Sequence, residues 1–322
     1  MKKLIVIVLV FALFVFVLPF GALAAEMLIP VGKVVGLHLG DNSMVIAGFD
    51  SQLGAGAQKA GLQVGDKIIN VNGQSVNCSE DIIKALGCGE AKAQIRYIRD
   101  GKTRCAEVQP VKTEEGFRLG IYLKQGVSGI GTITWYDPES GAFGALGHGV
   151  NTANGQLIPV GTGTIYSASV LSVVKGKAGN PGQLLGNLKD KTEIGYIDKN
   201  VSQGIFGQTE IGWTGEAVPV ALRDEIRTGA ATIRSNIRGD EVQEYSVEIL
   251  KIYPNSKATG RNMLIKVTDP ELLRTTGGIV QGMSGSPIIQ NGKLIGAVTH
   301  VLVNDPTTGY GIFVENMLNA AA

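Results

Sequence analysis

From about Val127 onward the chain offers no long amphipathic helix, only short apolar strands separated by Gly, Asn and Asp turns. The main runs are "GIGTITWYD", "QLIPVGTGTIYSASVLSVV", "EYSVEILKIY", "NMLIKVTD", "GSPIIQNGKLIGAVTHVLV" and "GYGIFV". Strands this short and this regularly punctuated bury their apolar faces by closing a barrel or stacking as a sandwich. Roughly 195 residues are enough for two small barrels sharing one interface. The 45 glycines serve the same end, because glycine admits the backbone angles of tight turns.

Residues 27 to about 112 read as a separate compact unit. "KVVGLHLG" is strand-like, and "AQKAGLQVGDKIINVNGQSV" gives a short helix, a turn at Gly65-Asp66 and a strand from Lys67 to Val71. Asn72-Gly73 and Asp100-Gly101 are two-residue hairpin signals. Asn77 with Glu80 three positions on predicts a capping box for a helix over Cys78–Leu86.

Lys2 and Lys3, an apolar run from Leu4 to about Phe20, and Ala22-Leu23-Ala24 have the layout of a secretory signal. The run is also nearly long enough to span a bilayer, so an uncleaved anchor is the alternative. Either reading exports the rest of the chain. The formal net charge is +1, and there is no basic run to suggest nucleic acid. Cys78, Cys88 and Cys105 leave at least one thiol unpaired, and no histidine motif accompanies them as a nucleophile site would require. No His-x-x-x-His or paired Cys/His spacing points to a metal, and no cofactor is expected.

The chemistry concentrates around Ser284 in "QGMSGSP". Gly282 and Gly285 allow successive N–H groups to converge, as an oxyanion hole requires; the donors would be Gly282 and Ser284. Asn291-Gly292 then closes a hairpin between Pro287–Ile289 and Leu294–Val298. A plain Gly-Ser turn with an ordinary serine is the bland reading. Only three histidines exist. His148, in "GAFGALGHGV", ends an apolar strand between glycines that let it face a cleft; His300 adjoins Thr299; His38 lies in the N-terminal unit. The acid is open. Asp269 before Pro270 is a good helix N-cap, while Asp190 and Asp198 fit the usual spacing better. A Ser-His pair oriented by a backbone carbonyl or a hydroxyl is the further alternative.

"AGLQVGDKIINVNGQSV" resembles the core signature of PDZ domains. The resemblance implies capture of a peptide terminus, with Val35-Gly36-Leu37 as the carboxylate loop. "GMSGSP", the hairpin and "LIGAVTH" resemble the nucleophile region of chymotrypsin-like serine proteases, and the order His148 then Ser284 is theirs. The combination, with "GIGTITWYDPESGAFGALGHGV", "KGKAGNPGQLLG" and the last 45 residues, closely resembles the stage IV sporulation protein B family of signalling serine peptidases. That resemblance implies a mainly β chain: segment 1–25 as signal or anchor, a PDZ domain over 26–115, then a chymotrypsin-like double β-barrel over 123–322. It implies His148 and Ser284 as essential residues, with Asp269 and Thr299 also needed for activity. It further implies self-cleavage, and cleavage of a membrane-associated regulator between forespore and mother-cell membranes that triggers sigma-factor processing. The partners would then be a protein or peptide substrate, a PDZ-bound peptide terminus (its own being one candidate) and a membrane-associated regulatory complex. A non-catalytic PDZ adaptor on a degenerate barrel is the competing class.

Overall fold

The structure, a computed structural model, describes residues 26–87, 91–152, 155–256 and 260–322. The segment 1–25 and Cys88 lie outside the described residues. The chain begins with β1 (Met27–Pro30) and the long β2 (Val34–Phe49). It continues through α1 (Ala55–Lys59), β3 (Lys67–Val71), β4 (Gln74–Ser75), α2 (Ser79–Leu86), β5 (Ala93–Arg99), β6 (Lys102–Val108), β7 (Val111–Thr113) and β8 (Gly116–Arg118). A second long strand, β9 (Ile121–Tyr136), leads to β10 (Ala142–Ala145), β11 (Thr162–Val174), β12 (Gln183–Val201), β13 (Gly204–Thr209) and β14 (Val218–Pro219). The last part holds β15 (Gly229–Arg238), β16 (Glu241–Ile252), β17 (Met263–Val267), α3 (Pro270–Thr276), β18 (Pro287–Gln290), β19 (Lys293–Leu302), β20 (Asp305–Phe313) and α4 (Val314–Ala321).

Strand pairing makes two barrels, as the turn-punctuated sequence requires. In the first, β2 pairs β9, β9 pairs β10, β10 pairs β13, β13 pairs β12, β12 pairs β11, and β11 returns to β2. Val35, Leu37, Ile133, Phe143, Ile165 and Ile205 fill it. The second closes as β15-β16-β17-β20-β19-β18 around Ile233, Val247, Ile265, Ile288 and Val298. The chain is therefore mainly β, with the double-barrel architecture of chymotrypsin-like proteases. Helix α4 wedges the seam: Val314 and Met317 are fully buried among Trp135, Phe206, Leu294 and Ile312. Burying these two side chains contributes roughly 3–6 kcal/mol.

The N-terminal unit is inserted into the first barrel rather than placed before it. The first half of β2, Val35 to Gly40, pairs β11 on one edge, and Val34 to Leu39 pairs β9 on the other. Beyond that, Met44–Phe49 pairs Ile121–Gln125 and enters the sheet of β3, β5 and β6 around Ile68, Val71, Ile82 and Ile95. The boundaries expected at 26–115 and 123–322 are corrected accordingly: residues 27–40 belong to the barrel, and β9 serves both bodies. The physical reason is that an extended strand pays no penalty for continuing from one sheet into another.

Local signals behave as their chemistry dictates. Asn72-Gly73, Asp100-Gly101 and Asn291-Gly292 all have positive φ at both residues, the mark of type I′ hairpin turns. The capping box is shifted by one from expectation. The helix starts at Ser79 with Cys78 as N-cap, and the Asp81 carboxylate accepts from the N–H groups of Asn77 and Cys78.

Candidate active site

Strand β10 ends at Ala145, and the chain then turns sharply. Leu146 and Gly147 both have positive φ, +67° and +68°. For a leucine that conformation costs about 1–3 kcal/mol, a strain that clusters at functional sites. The turn projects His148 from the first barrel toward the second. Its Nδ1 lies 3.0 Å from the Gly149 carbonyl. A carbonyl only accepts, so Nδ1 carries the proton and Nε2 of the neutral ring keeps its lone pair. Burial pushes the His148 pKa down, and the Gly149 carbonyl opposes this more weakly. The ring is thus a neutral base at neutral pH.

Ser284 comes from the second barrel, on the loop between α3 and β18. Its Oγ donates to the Thr299 carbonyl at 2.9 Å. The next residue, His300, has its ring centroid 5.3 Å from that of His148, tilted by 40°. Thr299-His300 therefore links Ser284 and His148: the Thr299 carbonyl holds the one, and the His300 ring lies beside the other. Among the described residues no hydrogen bond joins them directly: the resting hydroxyl points at the strand. Gly282 and Gly285 have φ of +98° and +97°. The Gln281 N–H donates to Gly182 and its carbonyl accepts from Leu184. Among the described residues the N–H groups of Gly282 and Ser284 have no partner, which leaves two donors free for an oxyanion.

The other expected residues separate. Thr299 is buried, and its Oγ1 donates to the carbonyls of Gly260 (3.0 Å) and Tyr310 (3.2 Å), so its side chain braces the site while its carbonyl holds the serine. Asp269 is not brought to His148. Its Oδ1 accepts from the N–H groups of Glu271 and Leu272, both at 2.9 Å, which is a helix N-cap. Asp198 is exposed on β12 and the side chain of Asp190 lies outside the described set. Among the described residues no carboxylate bonds to His148; the Gly149 carbonyl takes the orienting place. We expect Asp269→Ser, which keeps a capping oxygen, to retain wild-type stability and hydrolysis, while Asp269→Ala loses about 1 kcal/mol. Urea midpoints and rates of the two variants check this; a well-folded Ser variant slowed roughly 1,000-fold would make the carboxylate catalytic.

His300 gives the site its pH signature. Burial, then His148 and Arg261, push its pKa down to about 4 from 6.5, and its Nδ1 is buried without a partner. The unfolded chain protonates His300 first as pH falls, so stability drops from about pH 6.5 toward 4. His148 acts in the same direction. Urea midpoints at pH 7 and pH 5 should differ less in His300→Gln than in wild type; equal differences would refute this.

Val35-Gly36-Leu37 do not form a carboxylate loop. Both edges of that stretch are paired, to β11 and β9, so no N–H is left for a ligand. The inserted unit instead has a groove of about 610 Å³, lined by Ile82, Ile83 and Leu86 of α2 against Leu119, Ile121 and Leu123. Gly120 there has φ +64°, and Ile121–Lys124 pair β2 on one edge only. Its sequence, "FRLGIYL", has the apolar-Gly-apolar pattern that could have marked it.

Residues 115–318 match the family described as SpoIVB peptidase S55. The chain belongs to that family. Over 60 residues it is 42% identical to a protein of Staphylococcus aureus (strain COL) described as a zinc metalloprotease, covering 18% of this chain and 14% of that one. Over 101 residues it is 37% identical to a protein of Pseudomonas fluorescens described as a DegP-like periplasmic serine endoprotease, covering 28% and 21%. The S55 peptidase thus spans about a fifth or less of these curated relatives. Among solved structures it is similar to the HtrA-type protease AlgW with decapeptide (14% identity, TM-score 0.36, 65% of this chain and 57% of that). It is also similar to the active form of the Rv3671c protease from M. tuberculosis (16%, 0.32, 61% and 73%).

Proposed function

We propose that this S55 peptidase is an exported signalling protease of endospore-forming bacteria. It cleaves itself and a membrane-associated regulatory protein, and so triggers sigma-factor processing between forespore and mother-cell membranes. The observation that supports the catalytic part is that Ser284 Oγ bonds the Thr299 carbonyl while the adjoining His300 ring lies beside His148, with two unpaired N–H groups in the serine loop. Ser284 attacks the scissile carbonyl, His148 Nε2 takes its proton and returns it to the leaving amine, and the Gly282 and Ser284 N–H groups hold the oxyanion. The hydroxyl must first leave the Thr299 carbonyl. The signal-like segment 1–25 supports export.

The inserted unit acts as a PDZ module. A peptide terminus docks against α2 along the free edge of Ile121–Lys124, with its carboxylate at Leu119-Gly120-Ile121. Loss of binding on amidation of a labelled peptide supports this; equal binding of acid and amide removes it. For the whole reading, the wild type should react with a fluorophosphonate at Ser284 in a His148-dependent manner. It should also restore sigma-factor processing to a sporulating host that lacks its own S55 peptidase. Labelling that survives His148→Ala would overturn the catalytic part. Labelling without restored processing would overturn the signalling part.

A further inference from the structure

Strand β9 crosses the seam between the barrels, and two of its threonines point at the serine loop. Alternation along a strand puts Thr132 and Thr134 on one face and Ile133, in the first barrel's core, on the other. Both threonines are fully buried, so each polar atom needs a partner. Thr132 Oγ1 donates to the Gly282 carbonyl at 2.8 Å, and its N–H donates to the Ser284 carbonyl at 3.0 Å. Thr134 Oγ1 donates to the Gly285 carbonyl at 2.8 Å. The Thr132 carbonyl accepts from Leu146 N–H at 3.2 Å, two residues before His148. One residue of β9 therefore bonds both the nucleophile's loop and the base's turn.

We propose that Thr132 is the positioning residue of this active site: its hydroxyl holds the Gly282–Met283 peptide so that the Gly282 and Ser284 N–H groups remain turned to the oxyanion. This rests on the peptidase reading for its effect on rate, though not for its effect on the loop. Gln281 is already fixed on the other side by Gly182 and Leu184. Without the Thr132 hydroxyl the half-buried Gly282 carbonyl loses its partner, and the Gly282–Met283 peptide is free to turn it inward, where it would repel the developing oxyanion. Thr134 fixes the far end at Gly285. Thr132 touches no reacting atom; it acts through Gly282 and Ser284.

The test compares Thr132→Val, which is nearly isosteric but lacks the hydroxyl, with Thr132→Ser, which keeps it. With labelled casein as substrate and the full chain as enzyme, the Val variant should lose roughly tenfold or more in kcat with KM little changed, and the Ser variant should recover most of it. Amide hydrogen exchange over residues 279–288 should rise in the Val variant and not in the Ser variant. A Val variant with wild-type kcat, or equal losses in Val and Ser, overturns the proposal. Unchanged exchange overturns it whatever the activity. If the wild type hydrolyses nothing yet the exchange difference appears, the peptidase reading fails and the positioning of the loop stands.

Discussion

Ser284→Ala should leave a folded protein that has lost about five to six powers of ten in hydrolytic rate. The serine side chain makes one hydrogen bond, to the Thr299 carbonyl, so removing it costs stability only about 1 kcal/mol. The rate loss is large because the neighbouring hydroxyls among the described residues are withdrawn: Thr299 Oγ1 is committed to Gly260 and Tyr310, and Ser286 is fully buried. His148→Ala should do nearly as much damage, and the double variant scarcely more, because two groups that move one proton fail as a unit. Release of labelled peptides from casein, with circular dichroism on the same samples, measures both effects. A folded Ser284→Ala protein that keeps more than about one per cent of the rate would place the nucleophile elsewhere.

Gly285→Ala should be strongly destabilising. At φ +97° a side chain is strained, and its Cβ would sit 2.0 Å from the Thr132 carbonyl oxygen and 2.6 Å from Leu146 N. Those atoms are bonded to one another and belong to backbone, so neither can move aside alone. Strain and overpacking together cost roughly 2–6 kcal/mol, a large part of a domain's usual margin. Gly292→Ala is the control: φ is +73°, but an added Cβ there would meet nothing within 4 Å. The urea midpoint of Gly285→Ala should fall well below that of Gly292→Ala; matching midpoints would show that β9 does not grip the loop as described.

The parts legible in the sequence are those that local chemistry decides. Asx-Gly pairs gave the hairpins, Asp269-Pro270 gave the cap, and the glycines around Ser284 gave the positive-φ loop. The scarcity of histidine pointed to His148, though its orienting partner is the Gly149 carbonyl, which no side-chain pattern announces. What stayed hidden depends on pairings distant in sequence. "KVVGLHLG" reads as a strand whichever sheet it joins, so Val35-Gly36-Leu37 could pass for a ligand loop until both its edges proved taken. Thr132 and Thr134 look like ordinary β-formers in "GIGTITWYD". Their importance arises only from the 150 and 151 residues that separate them from their acceptors.

The insertion of one unit into the first barrel also dictates an order of assembly on the ribosome. Residues 34–39 emerge with no barrel partner, and their β9 partners follow roughly 90 residues later, about 4–20 s at ordinary synthesis rates. The inserted unit, complete by then, brings Leu39 and Gly126 together, for an added Cβ on Gly126 would lie 2.1 Å from the Leu39 oxygen. It works as a clip that has already closed the long loop when the barrel strands meet. The turn that carries His148 is then translated well before the loop of Ser284, and Val314 and Met317 of the wedge follow both.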